Sequence, residues 1–425
     1  MSMNTKVKYI IYFILITSLI FIIAYGINKN RQYSQEAKIE EKVISTEKTV
    51  VTDTVSGNDT LIEIKDDAEI GKDELDVQDD KTDLIINAMS LEEKIYQLFI
   101  LTPEQLTGVG NVTAAGATTE ESIKKYPIGG LIYFKSNLID KAQTVEMISN
   151  TQEIAKKVEG IPLFICVDEE GGTVVRIANN PKFGVKNVGD MSQVSNAQEA
   201  YECGDTIGKY LNELGFNTDF APVADVVEEG KTSIITKRSF GSDADQVTNC
   251  SIAYSNGLHE NNVFSTFKHF PGHGIVENDT HNGYAYSNMD YEELASNSLK
   301  PFMVMNENNV DFVMVAHISL PNIIGDDTPS SLSSKMIKEI LRNDIGYSGI
   351  VITDALNMGA ISEHYTSKEA AVNAVQAGAD LLLMPQNFHD AYDGILEAVN
   401  KGDITEAQID ESLKRIIQAK LKLIN

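Results

Sequence analysis

Gly349-Ile350-Val351-Ile352-Thr353-Asp354 is a short apolar run that closes on a carboxylate. An uninterrupted run of this length is a strand buried on both faces, the kind that belongs to a parallel sheet. Asp354 then sits at the carboxyl end of a rigid element, where a nucleophile needs to be held. An Asp in that place also serves as a helix N-cap, and the run alone does not separate the two roles.

Working outward, the pattern repeats. From Ile85 onward, short apolar runs alternate with stretches of helical period: Tyr96 to Leu101, Gly129 to Phe134, Leu163 to Asp168, Phe220 to Val226, Val263 to His269, Asp311 to Ile318, Gly349 to Asp354 and Ala379 to Met384. Helical patterns such as Ala142 to Val158, Asn196 to Leu214, Glu292 to Asn306, Lys368 to Ala377 and Ile404 to Leu423 lie between most of them. Eight βα units predict an α/β fold, a (β/α)8 TIM barrel, over residues 85–425. Asp168, Asp225, Lys268, His269, His317 and Asp354 all fall at or near strand carboxyl ends, the rim where such a barrel carries its chemistry. A doubly wound sheet also binds ligands there and stays open as the alternative, although neither a GxGxxG fingerprint nor a P-loop follows the first strand.

The 425 residues have an ordinary hydrophobic fraction of 42%, enough for a substantial core. A net charge of −27 and the lack of a dense Lys/Arg tract exclude a phosphate-tracking nucleic-acid surface. Cys166, Cys203 and Cys250 are widely spaced with no CxxC, which reads as buried packing residues. The absence of Trp favours a small pocket that grips sugars by hydrogen bonds over a long cleft paved with aromatic platforms.

At the amino terminus, Lys6 and Lys8 precede an apolar run from Tyr9 to Ile27 that meets Lys29 and Arg31. About 20 apolar residues suffice to span a bilayer, so residues 1–31 are expected to be a signal anchor, with a cleaved signal peptide near Ala24 and Gly26 as the alternative. Residues 32–84 are rich in Asp, Glu, Lys, Thr and Val, the composition of a flexible charged linker. A tether of roughly fifty residues has a span on the order of 40 Å. The expected location is the cell membrane with an extracellular catalytic domain, or secretion if the signal is cut.

Two motifs carry the candidate chemistry. Lys268-His269-Phe270-Pro271-Gly272-His273-Gly274 is followed by Asp279-Thr280-His281, where the i, i+2 spacing lets the Asp279 carboxylate orient the His281 ring and favour its imidazolium form. Such a ring can donate a proton to a leaving group. Val167-Asp168-Glu169-Glu170-Gly171-Gly172 places a carboxylate beside a glycine pair, with Arg176 close behind and Arg238 in a later loop, groups suited to fixing a hydroxyl-bearing ring. His269, His273, Asp279 and His281 could be read as metal ligands, but Pro271 and Gly272 break the helix that would put two of the rings on one face, and no metal site is expected.

KHFPGHG followed by DTH, together with VDEEGG, KRSFG and ITDALNMGA in that order, resembles glycoside hydrolase family 3 in its β-N-acetylglucosaminidase branch. The resemblance covers about Ile85 to Asn425 and implies a retaining double displacement in a (β/α)8 barrel with no cofactor. By motif position it implies Asp354 as nucleophile, His281 held by Asp279 as acid/base, and Asp168, Arg176, Arg238, Lys268 and His269 as the residues that bind a terminal N-acetylglucosamine. The substrates implied are N-acetylglucosamine-containing glycans or muropeptides, as in peptidoglycan turnover. Glu169, Thr173 and Thr280 depart from residues common in relatives. The competing readings are a β-glucosidase or a β-N-acetylglucosaminide phosphorylase of the same family, and a membrane-tethered sugar-binding protein without activity.

Overall fold

Among the described residues eight short strands build the two main parallel sheets, β1 (Phe99–Leu101), β2 (Gly130–Ile132), β3 (Phe164–Val167), β4 (Thr218–Asp219), β5 (Thr266–Phe270), β6 (Phe312–Val315), β7 (Ile350–Thr353) and β8 (Leu382–Leu383), and a further parallel pair, Ala285–Tyr286 with Ile318–Ser319, forms a small third sheet. This is a computed structural model, and it describes residues 79–228, 230, 234–276 and 285–424. They lie in a unit running from Gly71 to Asn425. The apolar run Tyr9–Ile27, most of the 32–84 linker, and both Asp279 and His281 lie outside the described residues. Among the described residues no helix is long and apolar enough to cross a membrane.

The fold is α/β with parallel sheets. The expected barrel is not one continuous ladder: β8-β1-β2-β3-β4 form a five-stranded sheet and β5-β6-β7 a three-stranded one. Isolated parallel bridges join their edges, Thr218 to Phe264 and Val223 to Lys268 on one side, Ile352 to Leu381 on the other. Phe164 of β3 meets Phe312 of β6 edge-on with ring centroids 5.2 Å apart, so the two sheets share one apolar interior. Every residue of β1, β2, β3, β6 and β7 is buried, as expected of parallel strands covered on both faces.

Helices with clear start and stop signals lie between the strands or follow the last of them: α1 (Lys141–Glu159), α2 (Ala197–Leu214), α3 (Ala244–His259), α4 (Ser367–Ala377), α5 (Phe388–Lys401) and α6 (Glu406–Lys422). Asp140 caps α1 by accepting the Gln143 N–H, Asn196 caps α2 through the Glu199 N–H, and Thr405 with Gln408 forms a capping box on α6. Gly160 and Gly215 end α1 and α2 in the left-handed region at φ 76° and 94°, where a Cβ is disfavoured.

Several boundaries differ from the sequence reading, three of them for a plain local reason. Tyr96 closes a helix, Leu91–Tyr96, because the Ser90/Glu93 capping box starts a turn there, so β1 begins only at Phe99. The fourth strand sits at Thr218–Asp219 and not at Phe220–Val226: Pro222 has no N–H to give to a ladder, and beyond it the chain keeps only the bridge at Val223. The helix expected over Glu292–Asn306 is broken into Tyr291–Ser296 and Lys300–Met303, because Pro301 cannot donate to Asn297 four residues earlier and its ring crowds that carbonyl. Residues 79–88 form a helix, with Thr82 and Ile86 buried, so helical structure begins inside the segment read as linker.

Candidate active site

The carboxyl ends of β3, β5 and β7 bring Asp168, Lys268, His269 and Asp354 to one end of the sheets, with Arg176 and Arg238 reaching in from loops. Between Lys268 and Phe270 the β5–β6 register shifts by a residue. A shift of that kind lets two successive side chains serve one face, and both the Lys268 ammonium and the His269 ring point into the cluster.

Asp168 is held from two sides, with Arg176 Nη2 donating to Oδ2 at 3.0 Å and Lys268 Nζ to Oδ1 at 3.0 Å. Burial pushes its carboxyl up, but Lys268 and Arg176 outweigh that and hold it below the ordinary carboxylate range. Arg176 lies over the Phe134 ring at 5.3 Å, and its buried Nε has no partner among the described residues, leaving a donor for a ligand. Lys268 also donates to Glu170 Oε1 at 2.6 Å. Arg238 grips the same carboxylate, Nε to Oε2 at 2.7 Å and Nη2 to Oε1 at 2.8 Å.

Asp225, fully buried after β4, accepts from the His269 backbone N–H at 3.0 Å and pairs through Oδ2 with His269 Nδ1 at 2.7 Å. Burial raises its carboxyl and the facing His269 ring more than offsets this, so it lies below the usual range. With Nδ1 turned to Asp225, His269 presents Nε2 to the pocket, 3.4 Å from Arg238 Nη2. Burial, then His269, pushes the neighbouring His273 ring down to about 4.

Asp354 follows the last residue of β7. Its N–H donates to Val315 O at 2.9 Å, tying it to β6, and its Oδ1 accepts the Ala355 N–H at 2.7 Å. No described residue hydrogen-bonds Oδ2. Burial raises this carboxyl, while His317, His269, the Ala355 N–H and Lys268 together bring it below its ordinary value, so it is ionised. His317 braces the strand end, bridging Ser331 Oγ at 2.7 Å and Ala355 O at 3.0 Å.

Asp168, Arg176, Arg238, Lys268, His269 and Asp354 are thus brought together. Asp279 and His281 are outside the described residues, so their distance from Asp354 is not part of this geometry. Asp225 and His317 were placed on the rim from sequence but given no role, and Glu170 was not singled out. The signal for Glu170 was present: in extended chain, residues 168 and 170 face one way and 169 the other. Glu169 indeed turns outward, accepting the N–H groups of Arg176, Ile177 and Ala178 and the Tyr210 hydroxyl. Among the described residues no group of three or more His, Cys, Asp or Glu side chains is arranged to hold a metal ion.

A rim of carboxylates and cations on a parallel α/β fold is glycosidase equipment, and comparison with known proteins agrees. The glycosyl hydrolase family 3 N-terminal domain matches residues 90–419, and the chain belongs to this family of glycoside hydrolases. Beta-hexosaminidase A of Pseudoalteromonas piscicida is 31% identical over 329 residues, covering 71% of this chain and 55% of that one. Beta-hexosaminidase LpqI of Mycobacterium tuberculosis is 31% identical over 327 residues, covering 74% of this chain and 81% of the relative. A family 3 β-N-acetylglucosaminidase from Paenibacillus superposes with a TM-score of 0.74 at 35% identity, over 79% of this chain and 63% of that one. The chain therefore spans little more than half of the first relative and under two thirds of that solved structure.

Proposed function

We propose that the protein is an exo-acting, retaining β-N-acetylglucosaminidase that removes terminal N-acetylglucosamine from peptidoglycan fragments. The observation that carries this reading is Asp354, ionised at a strand end, with Oδ2 hydrogen-bonded by no described residue and the Asp168–Arg176–Lys268–Arg238 cluster on the same rim. The two enzymes named as hexosaminidases and the solved N-acetylglucosaminidase supply the sugar class.

Asp168 and Arg176 offer an acceptor and a forked donor to neighbouring ring hydroxyls, while Lys268, Arg238 and His269 Nε2 complete the grip. Asp354 Oδ2 attacks the anomeric carbon as the glycosidic C–O bond breaks. His281, oriented by Asp279, protonates the leaving oxygen and then takes a proton from the water that releases the sugar from Asp354. In this reading the two sheets and their bridges are one (β/α)8 ring, β8 meeting β7 through Leu381 and β4 meeting β5 through Phe264. The apolar segment Tyr9–Ile27 tethers the domain to the membrane on the outer side.

The test compares hydrolysis of aryl β-N-acetylglucosaminide and aryl β-glucoside, with and without phosphate. The proposal expects the aminosugar to be preferred and phosphate to leave the product a free sugar; a sugar phosphate or a preference for glucoside would replace it. A fluorinated sugar probe with intact-mass detection should give an adduct on the peptide that contains Asp354, and an adduct elsewhere would reject that nucleophile.

A further inference from the structure

Lys268 and Arg238 stand side by side in the pocket, 2% and 14% exposed at their side chains, and one carboxylate serves both. Glu170, itself 2% exposed, takes Lys268 Nζ and Arg238 Nη2 on Oε1 and Arg238 Nε on Oε2. With Asp168 and Asp354 it sets three carboxylates opposite Arg176, Arg238 and Lys268, and the Asp225–His269 pair lies beside them. Without Glu170, the Arg238 fork and the Lys268 ammonium would face the pocket with the carboxylate that joins them removed and one negative charge fewer beside them. A guanidinium fork beside an ammonium is the geometry that binds phosphate and carboxylate oxygens.

We propose that Glu170 is a positioning and specificity-determining residue: by occupying Lys268 and Arg238 it makes the pocket a receptor for neutral sugar hydroxyls and closes it to small anions such as inorganic phosphate. The proposal rests on the sugar-pocket reading. Glu170 spends the two cations only in part. An ammonium has three donors and a guanidinium five, so Lys268 keeps one N–H and Arg238 keeps its Nη1 hydrogens for hydroxyl oxygens. Both side chains stay charged and fixed in direction while the charge that would draw an anion is cancelled. For an enzyme whose glycosyl–Asp354 intermediate is meant for water, this keeps anions off the sugar subsite.

Glu170→Gln, similar in size and neutral, tests this in the full-length protein. Phosphate is titrated against chloride at matched ionic strength, with initial rates on aryl β-N-acetylglucosaminide and calorimetric binding read in parallel. The wild type is expected to show neither competitive inhibition nor binding heat. The variant is expected to bind phosphate and to show its KM raised about tenfold, with kcat unaffected by phosphate. A folded variant indifferent to phosphate overturns the proposal, and so does a wild type that binds it. If Glu170→Gln does not fold, sulfate or phosphate should restore a cooperative melt, and Glu170→Gln/Lys268→Gln, which removes a charge of each sign, should fold without either; failure of either expectation overturns it. Calorimetric binding needs no turnover, so a wild type unable to cleave the aminosugar would sink the enzymatic reading and leave this one to its own result.

Discussion

Asp354 uses one carboxylate oxygen for structure, and no described residue hydrogen-bonds the other, a division set by where it stands. Its Oδ1 closes onto the Ala355 N–H and its backbone is stitched to Val315 of β6, so Oδ2 is held in one direction without being consumed. Asp354→Asn is expected to keep the melting profile of the wild type and to lose turnover by a factor on the order of 10³ or more, read by kcat on an aryl aminosugar. A near-normal rate would remove Asp354 from the chemistry. Glu170 makes the second prediction at this scale. Burial raises its carboxyl, but Arg238 and Lys268 draw it down from 4.5 to about 2. A group whose folded value is depressed stabilises the fold above its unfolded value, and that contribution fades as pH falls toward the folded one. The stability difference between wild type and a folded Glu170→Gln should therefore be largest near neutrality and shrink below about pH 4, measured by urea unfolding. A difference independent of pH between 7 and 2.5 would contradict this pairing.

At the scale of elements, the Asp168–Glu170 segment works by alternation: two carboxylates face the pocket, and the one between them anchors the loop to the helices behind. Glu169 gathers three backbone N–H groups of residues 176–178, and Tyr210 of α2 and Tyr254 of α3 hold its side chain and carbonyl. Burial pushes the Glu169 carboxyl up against those hydrogen bonds. Tyr210→Phe removes one donor and is expected to cost roughly 1–3 kcal/mol of stability. Because Arg176 hangs from the same carboxylate, KM should rise while kcat stays within about twofold. An unchanged melting temperature would show that Glu169 does not depend on Tyr210. Gly130, which opens β2, has space for nothing larger: a Cβ there would lie 2.4 Å from Phe164 O and 2.7 Å from Ile100 Cδ1. Gly130→Ala should lower stability by roughly 1–3 kcal/mol through forced separation of β1, β2 and β3, and a neutral result in thermal unfolding would mean the strands can move apart freely.

At the scale of the whole molecule, the described unit begins before the segment that matches the family. The 79–88 helix binds the end of the chain through Asp79 with Gln418 and Asp83 with Lys414 of α6. A chain starting at Gly71 is expected to melt within a few degrees of the full-length protein and to keep kcat/KM within about twofold on a soluble aryl substrate. Fractionation should move it from the membrane pellet to the supernatant. A full-length protein found wholly in the supernatant would contradict the tether read from Tyr9–Ile27.

Local pattern along the chain was enough for the strand-by-strand alternation and the rim: apolar runs ending in Asp168, Lys268-His269 and Asp354 are imposed by burial on both faces of a parallel strand. It also marked Arg176 and Arg238 by motif position, though not the carboxylates they pair with. Where Pro222 and Pro301 cut their elements short, the missing N–H was legible in the residues but its position in the ladder was not. Which carboxylate answers which cation was settled by packing in three dimensions. Glu170 meets Arg238 across 68 positions and Lys268 meets Asp168 across 100, partnerships set by how the strands lie side by side. Charge pairing at that range depends on distances of a few ångströms, and no periodicity along a chain encodes them.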